Sequence, residues 1–177
     1  SLGLILLPFL RVGGMQLFRM ESSDRSEKPL PRLIEISKSI IIIYIVLSVL
    51  CSISYLSVGM APFDALTHAM TTVSTGGFST HDESLGYYEG WQVLWVAIIF
   101  MIAGALPFSF FIAVFFARNL PRYDPQIAVF FILIIISSAV VLFVDGWDHA
   151  KNFTQFSQYI FNVISVLTTT GYASGNF

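Results

Sequence analysis

Two short stretches of this sequence concentrate the groups that can stand in for water around a bare cation: Ser74-Thr75-Gly76-Gly77-Phe78 and Thr168-Thr169-Thr170-Gly171-Tyr172. Their hydroxyls are neutral oxygen ligands, and glycine admits the left-handed backbone angles that let successive carbonyls face one way. Rings of such carbonyls can replace a cation's hydration shell. Small polar residues also make plain turns between buried helices, so a single copy would leave both readings open. Asp64 and His68 stand four apart and share a helix face, which suits a surface contact, or a metal if further ligands were placed. His81-Asp82-Glu83 follows the first turn, and three consecutive residues seldom converge on one ion. They read as an exposed acidic vestibule that concentrates cations, with Asp145, Asp148 and His149 in the same role before the second turn. The apolar runs hold no paired carboxylate, no His-Glu-x-x-His and no placed nucleophile, which argues against an enzyme.

The segments that lead into these turns are apolar but short. Residues 62–74 reach only about 20 Å as a helix at 1.5 Å per residue, too little for a bilayer core of roughly 30 Å. Pro62 suits a first helical turn, Asp64 suits its positive end, and Phe63, Leu66, Ala69, Met70 and Val73 recur at helical spacing. Residues 153–167 repeat the arrangement before the second turn. Gly77-Phe78 aligns with Gly171-Tyr172 at an offset of 94 residues, which also brings Ser74-Thr75 onto Thr168-Thr169. The recurrence favours the coordinating reading over the plain turn. Non-helical backbone at membrane depth needs protein or an aqueous cavity around it, because an unsatisfied carbonyl in lipid costs several kcal/mol.

Longer apolar runs frame each short helix. Of 177 residues, 55% are hydrophobic and only 11% charged, against about 45–50% and about 25% in soluble domains. Uncharged runs at 39–58, 91–117 and 125–144 are each long enough to cross a bilayer, and Gly104 and Pro107 place a bend in the second. Residues 1–12 read as the end of an earlier span, and both ends of the chain read as cut from something longer. Eight of the 9 Lys and Arg residues lie in 1–38 or 118–124, so the connector 13–38 and the loop 118–124 are expected to be cytoplasmic. The alternate loops hold Lys151 and six acids, among them Glu89. Trp91, Trp95 and Trp147 near span ends read as interfacial anchors, and Cys51 as a small core residue. The expected fold is an all-α polytopic membrane protein built of span, short helix, turn and span: one whole repeat over 39–117 and a truncated one over 125–177.

The run Thr72-Val73-Ser74-Thr75-Gly76-Gly77-Phe78-Ser79-Thr80-His81-Asp82, with Thr168-Thr169-Thr170-Gly171-Tyr172, resembles the second and third pore loops of the TrkH/KtrB potassium-uptake family. Gly13-Gly14-Met15-Gln16 is similar to the segment that closes that family's first repeat. The resemblance implies four pore-loop repeats around one pathway, related to potassium channels, in the bacterial inner membrane. Selectivity-filter carbonyls would then come from Ser74, Thr75, Gly76 and Gly77 at 74–78 and from Thr168, Thr169, Thr170 and Gly171 at 168–172, with K+ as the transported ion. It further implies a homodimer in membrane lipid and a cytosolic TrkA- or KtrA-type nucleotide-binding regulator. No covalent cofactor and no nucleic acid partner is expected. A sodium or non-selective monovalent cation pathway, and a non-conducting assembly subunit, are the alternatives.

Overall fold

The computed structural model describes residues 29–88, 90–115, 125–144 and 152–175. The expectations for 1–12, for most of the connector 13–38, for the loop 118–124 and for Glu89, Asp145, Trp147, Asp148 and His149 lie outside the described residues. Every α or 3-10 element among the described residues is helical: α1 (Pro29–Ser57), α2 (Pro62–Val73), a 3-10 turn (Ser84–Tyr87), α3 (Trp91–Ala105), α4 (Phe108–Phe115), α5 (Pro125–Val144) and α6 (Phe153–Leu167). The chain divides into two compact units, Ser1–Tyr44 and Ile45–Phe177. The described part of the first is the beginning of α1.

Two helical stretches, Ile36–Ser57 and Pro125–Val144, are long and apolar enough to cross a bilayer. Helix α1 starts at Pro29, ten residues before the uncharged run begins, because nothing in Arg32, Glu35 or Lys38 breaks a helix. Ile45, Val49 and Ile53 on α1 and Ile132, Ile135 and Phe143 on α5 are exposed. So much outward apolar surface calls for an apolar surrounding, the mark of a membrane protein.

The described part of the uncharged run 91–117, residues 91–115, forms two helices. Pro107 has no amide hydrogen, so α3 stops at Ala105 with Leu106 in extended conformation, and α4 starts afresh at Phe108. Helix α3 is the central post of the second unit: α2 and α6 both pack on it, and α5 packs on α6. Its buried residues Val93, Leu94, Ala97, Ile98 and Met101 fall at helical spacing on that side. Gly104 lets α2 come closest. A Cβ there would sit 2.5 Å from the Val73 carbonyl oxygen, so the end of α2 lies directly on the α3 backbone.

Trp95 joins two helices. Its indole Nε1–H donates to Ser157 Oγ at 3.0 Å, and the Ser157 hydroxyl donates to the Phe153 carbonyl at 2.8 Å, which ties α3 to the first turn of α6.

Candidate functional site

Helices α2 and α6 end in the same cap. After α2, the amide of Thr75 donates to the Thr72 carbonyl at 3.1 Å and that of Gly76 to the Thr71 carbonyl at 2.7 Å. After α6, Thr169 donates to Val166 at 3.0 Å and Thr170 to Ser165 at 2.9 Å. These paired bonds define a Schellman cap, whose C′ residue must be left-handed and is usually glycine. Here it is threonine both times: Thr75 at φ 51° and Thr169 at φ 58°. A left-handed β-branched residue costs about 1–2 kcal/mol. Each threonine is held there by its own hydroxyl, Thr75 Oγ1 donating to the Ser74 carbonyl at 2.8 Å and Thr169 Oγ1 to the Thr168 carbonyl at 2.7 Å.

A second tie also recurs. The Thr71 hydroxyl donates to the Phe78 carbonyl at 2.8 Å, and the Ser165 hydroxyl to the Tyr172 carbonyl at 2.8 Å. Each turn is therefore pinned at both ends to the last turn of its own helix. Between the pins the backbone is left-handed again, at Gly77 (φ 67°) and Gly171 (φ 83°). Among the described residues, no hydrogen bond takes up the carbonyl oxygens of Thr75, Gly76, Gly77, Thr169, Thr170 or Gly171. Both turns thus combine left-handed backbone, held by hydrogen bonds at each end, with carbonyl oxygens left open between.

The two turns lie side by side. A Cβ on Gly77 would fall 1.9 Å from the Thr170 carbonyl oxygen, so only glycine permits that approach. The segments that follow the two turns join there too: Gly86 N–H donates to the Ala173 carbonyl at 3.2 Å, and Ala173 N–H to Ser84 Oγ at 3.2 Å. All eight residues singled out from the sequence thus belong to two adjacent turns of one design. The two aromatics that follow the glycines differ. Tyr172 is 4% exposed and docks on α2, where Thr72 is fully buried, whereas Phe78 is 77% and Val166, the repeat counterpart of Thr72, 74% exposed. The contact is head-to-tail between two repeat units, each a short helix with its turn and both within Ile45–Phe177: the aromatic of the second repeat unit rests on the short helix of the first.

His68 departs from its sequence reading as a surface contact. It is fully buried among Tyr55, Tyr88 and Tyr172. Its partners assign the tautomer. Nδ1–H donates to the Asp64 carbonyl at 2.8 Å, so Nε2 accepts from the Ser79 hydroxyl at 2.9 Å, and Ser79 Oγ in turn accepts from the His81 amide at 3.1 Å. Burial holds the imidazole below its ordinary value and keeps it neutral. Among the described residues no three of His, Cys, Asp and Glu are grouped to hold a metal.

The Asp64 carboxylate latches the segment after the first turn to the start of α2. It accepts from Thr80 Oγ1 at 2.8 Å and lies 3.4 Å from His81 Nε2, whose ring stacks on Tyr87. The Thr80 hydrogen bond is the chief cause of a carboxyl held below its ordinary value of 3.8. Because the folded value is depressed, the latch is at full strength above 3.8 and is lost as pH falls through the folded value. Asp64→Asn should lower hydrogen-exchange protection, taken relative to the unstructured rate at the same pH, over residues 79–82 at neutral pH, and strong acid should lower it likewise in the native protein. Protection unchanged in both would refute the latch.

Sequence alone did not single out the hydroxyls that join the two units. Tyr55 Oη lies 2.9 Å from Thr72 Oγ1, and Tyr172 Oη reaches Thr71 Oγ1 and Thr72 Oγ1. The recurrence of a hydroxyl at Thr71 and Ser165 is the signal that could have found the second tie.

Comparison with known proteins identifies the family. The profile of the TrkH family, described as a cation transport protein, matches residues 1–145. The Trk system potassium uptake protein TrkI of Halomonas elongata is 41% identical over 181 residues, covering 99% of this chain and 36% of that protein. The Trk system potassium uptake protein TrkH of Vibrio parahaemolyticus is 32% identical over 184 residues, covering 99% and 38%. The crystal structure of the potassium transporter TrkH from Vibrio parahaemolyticus superposes with a TM-score of 0.76 at 28% identity, over 97% of this chain and 36% of that one. The chain thus spans little more than a third of the length of these relatives. Profile, relatives and structural match agree: the chain belongs to the TrkH family of cation transport proteins.

Proposed function

We propose that this chain supplies two of the backbone loops through which a Trk-type uptake protein passes potassium across the membrane. The observation that carries the proposal is the recurrence, at 74–78 and 168–172, of a strained turn pinned at both ends with open carbonyls between. A cation entering there exchanges water for carbonyl oxygens, crosses, and is rehydrated. No bond is made or broken, and no covalent cofactor takes part. Ser74, Thr75, Gly76 and Gly77 serve one side of the filter and Thr168, Thr169, Thr170 and Gly171 the next. The C-terminal ends of α2 and α6, each carrying roughly half a negative charge, favour a cation at the same place.

In this reading the chain is part of a longer multi-pass protein of the bacterial inner membrane, with residues 13–38 and 118–124 on the cytoplasmic side. It works as a homodimer with a cytosolic nucleotide-binding regulator of the TrkA or KtrA type. The names of the relatives, potassium uptake proteins, support potassium over sodium. In a potassium-uptake-deficient strain, the intact protein should restore growth at low potassium and take up rubidium, with potassium competing far better than sodium. Equal competition by sodium would favour the non-selective alternative. No rubidium uptake despite normal membrane levels would favour a non-conducting assembly subunit.

A further inference from the structure

We infer that Tyr172 is a positioning residue for ion discrimination: its hydroxyl ties the second turn to the helix of the preceding unit and so sets the spacing of the two loops. This rests on the proposed filter reading and adds the device that holds its parts in register.

The geometry makes Tyr172 a bridge. Its main chain belongs to its own unit, because the Ser165 hydroxyl holds its carbonyl at 2.8 Å. Its side chain belongs to the other unit. The Tyr172 hydroxyl contacts Thr71 Oγ1, and lies 3.2 Å from Thr72 Oγ1, 3.3 Å from the His68 carbonyl and 3.5 Å from the Phe78 carbonyl. Thr71 has one proton to give, and its best-placed backbone acceptor is the Phe78 carbonyl at 2.8 Å. Tyr172 therefore donates to Thr71 Oγ1. Thr72 Oγ1 is shared with Tyr55 Oη at 2.9 Å, so the tie extends to α1.

The residues so joined flank the open carbonyls. Thr71 pins the first turn at Phe78, directly after Gly77, and Tyr172 directly follows Gly171. One hydroxyl thus links the far ends of both turns, while Gly77 and Thr170 touch between them. Sodium is smaller than potassium and needs shorter oxygen distances. Turns held at fixed separation cannot close on it, and turns freed at one end can. Phe78, at the matching position of the first unit, has no hydroxyl, so the tie is particular to Tyr172.

The test uses the intact transporter in the deficient strain, with membrane levels measured. Tyr172→Phe removes one hydroxyl and keeps the ring. It should weaken the preference for rubidium over sodium by about tenfold, the factor one buried hydrogen bond can supply, and should lower that ratio more than it lowers rubidium uptake. Thr71→Val with Thr72→Val removes the same tie together with the Thr71–Phe78 pin and the Thr72–Tyr55 contact, so it should lower the ratio at least as far, and adding Tyr172→Phe to that pair should lower it no further. The ratio does not depend on the amount of folded protein. Should Tyr172→Phe fail to reach the membrane, the threonine pair decides. Gly77→Ser serves as the control for the filter itself. If Gly77→Ser is inactive while Tyr172→Phe and the threonine pair keep full discrimination, this inference falls and the filter reading stands. If Gly77→Ser transports normally, the filter reading falls.

Discussion

Gly77→Ser in the intact protein should lower rubidium uptake by about a hundredfold at normal membrane levels. Two costs combine. A side chain at φ 67° costs about 1–2 kcal/mol, and its Cβ would meet the Thr170 carbonyl oxygen at 1.9 Å, which forces backbone apart at a further cost of about 1–3 kcal/mol. The second cost falls on the contact between the two turns, so it displaces the carbonyls of both. Gly171→Ser provides the comparison. Its φ is 83°, yet nothing lies within 4 Å of a Cβ placed there, so only the conformational cost applies. Thr75 and Thr169 show that this backbone bears side chains in left-handed conformation when a hydroxyl can tie back. Gly171→Ser should therefore also reduce uptake, but less than Gly77→Ser. Equal or reversed effects would show that the contact with Thr170 does not matter.

Gly104→Ala should be nearly as damaging although Gly104 lies in neither turn. Its Cβ would stand 2.5 Å from the Val73 carbonyl oxygen, one residue before the cap at Ser74. Both partners are helix backbone, so relief requires α2 to lift from α3 and carry the first turn with it. Overpacking of this kind costs about 1–3 kcal/mol. Uptake should fall more than about tenfold, and thermal unfolding in detergent should begin at lower temperature. Wild-type uptake and stability would mean that α2 is not seated on α3 as described.

The comparison of sequence with structure separates what is local from what is not. Helix ends were legible where a residue's covalent structure dictates them: Pro62 opens α2, Pro125 opens α5, and Pro107 parts α3 from α4. The two turns were legible through their hydroxyls and glycines, and through their recurrence 94 residues apart. Thr75 and Thr169 as left-handed caps were not, because threonine is a poor choice there and only the hydroxyl tie explains it. Contacts across the repeat were equally hidden. His68 looks amphipathic on α2 alone, and its burial follows from tyrosines contributed by α1, the segment after the first turn and the second turn. Nothing in spacing shows that Tyr172 meets Thr71 and Thr72, a hundred residues earlier, because that contact is made by the packing of two units.

Carbonyls of the two turns that bind the transported cation should be visible with that cation beside them. The most direct measurement is anomalous diffraction from crystals of the intact protein grown in rubidium. Rubidium peaks should lie beside the carbonyl oxygens of Thr75, Gly76 and Gly77 and of Thr169, Thr170 and Gly171, and should vanish in the Gly77→Ser protein. Rubidium bound elsewhere along the pathway, with both turns unoccupied at saturating concentration, would contradict the account.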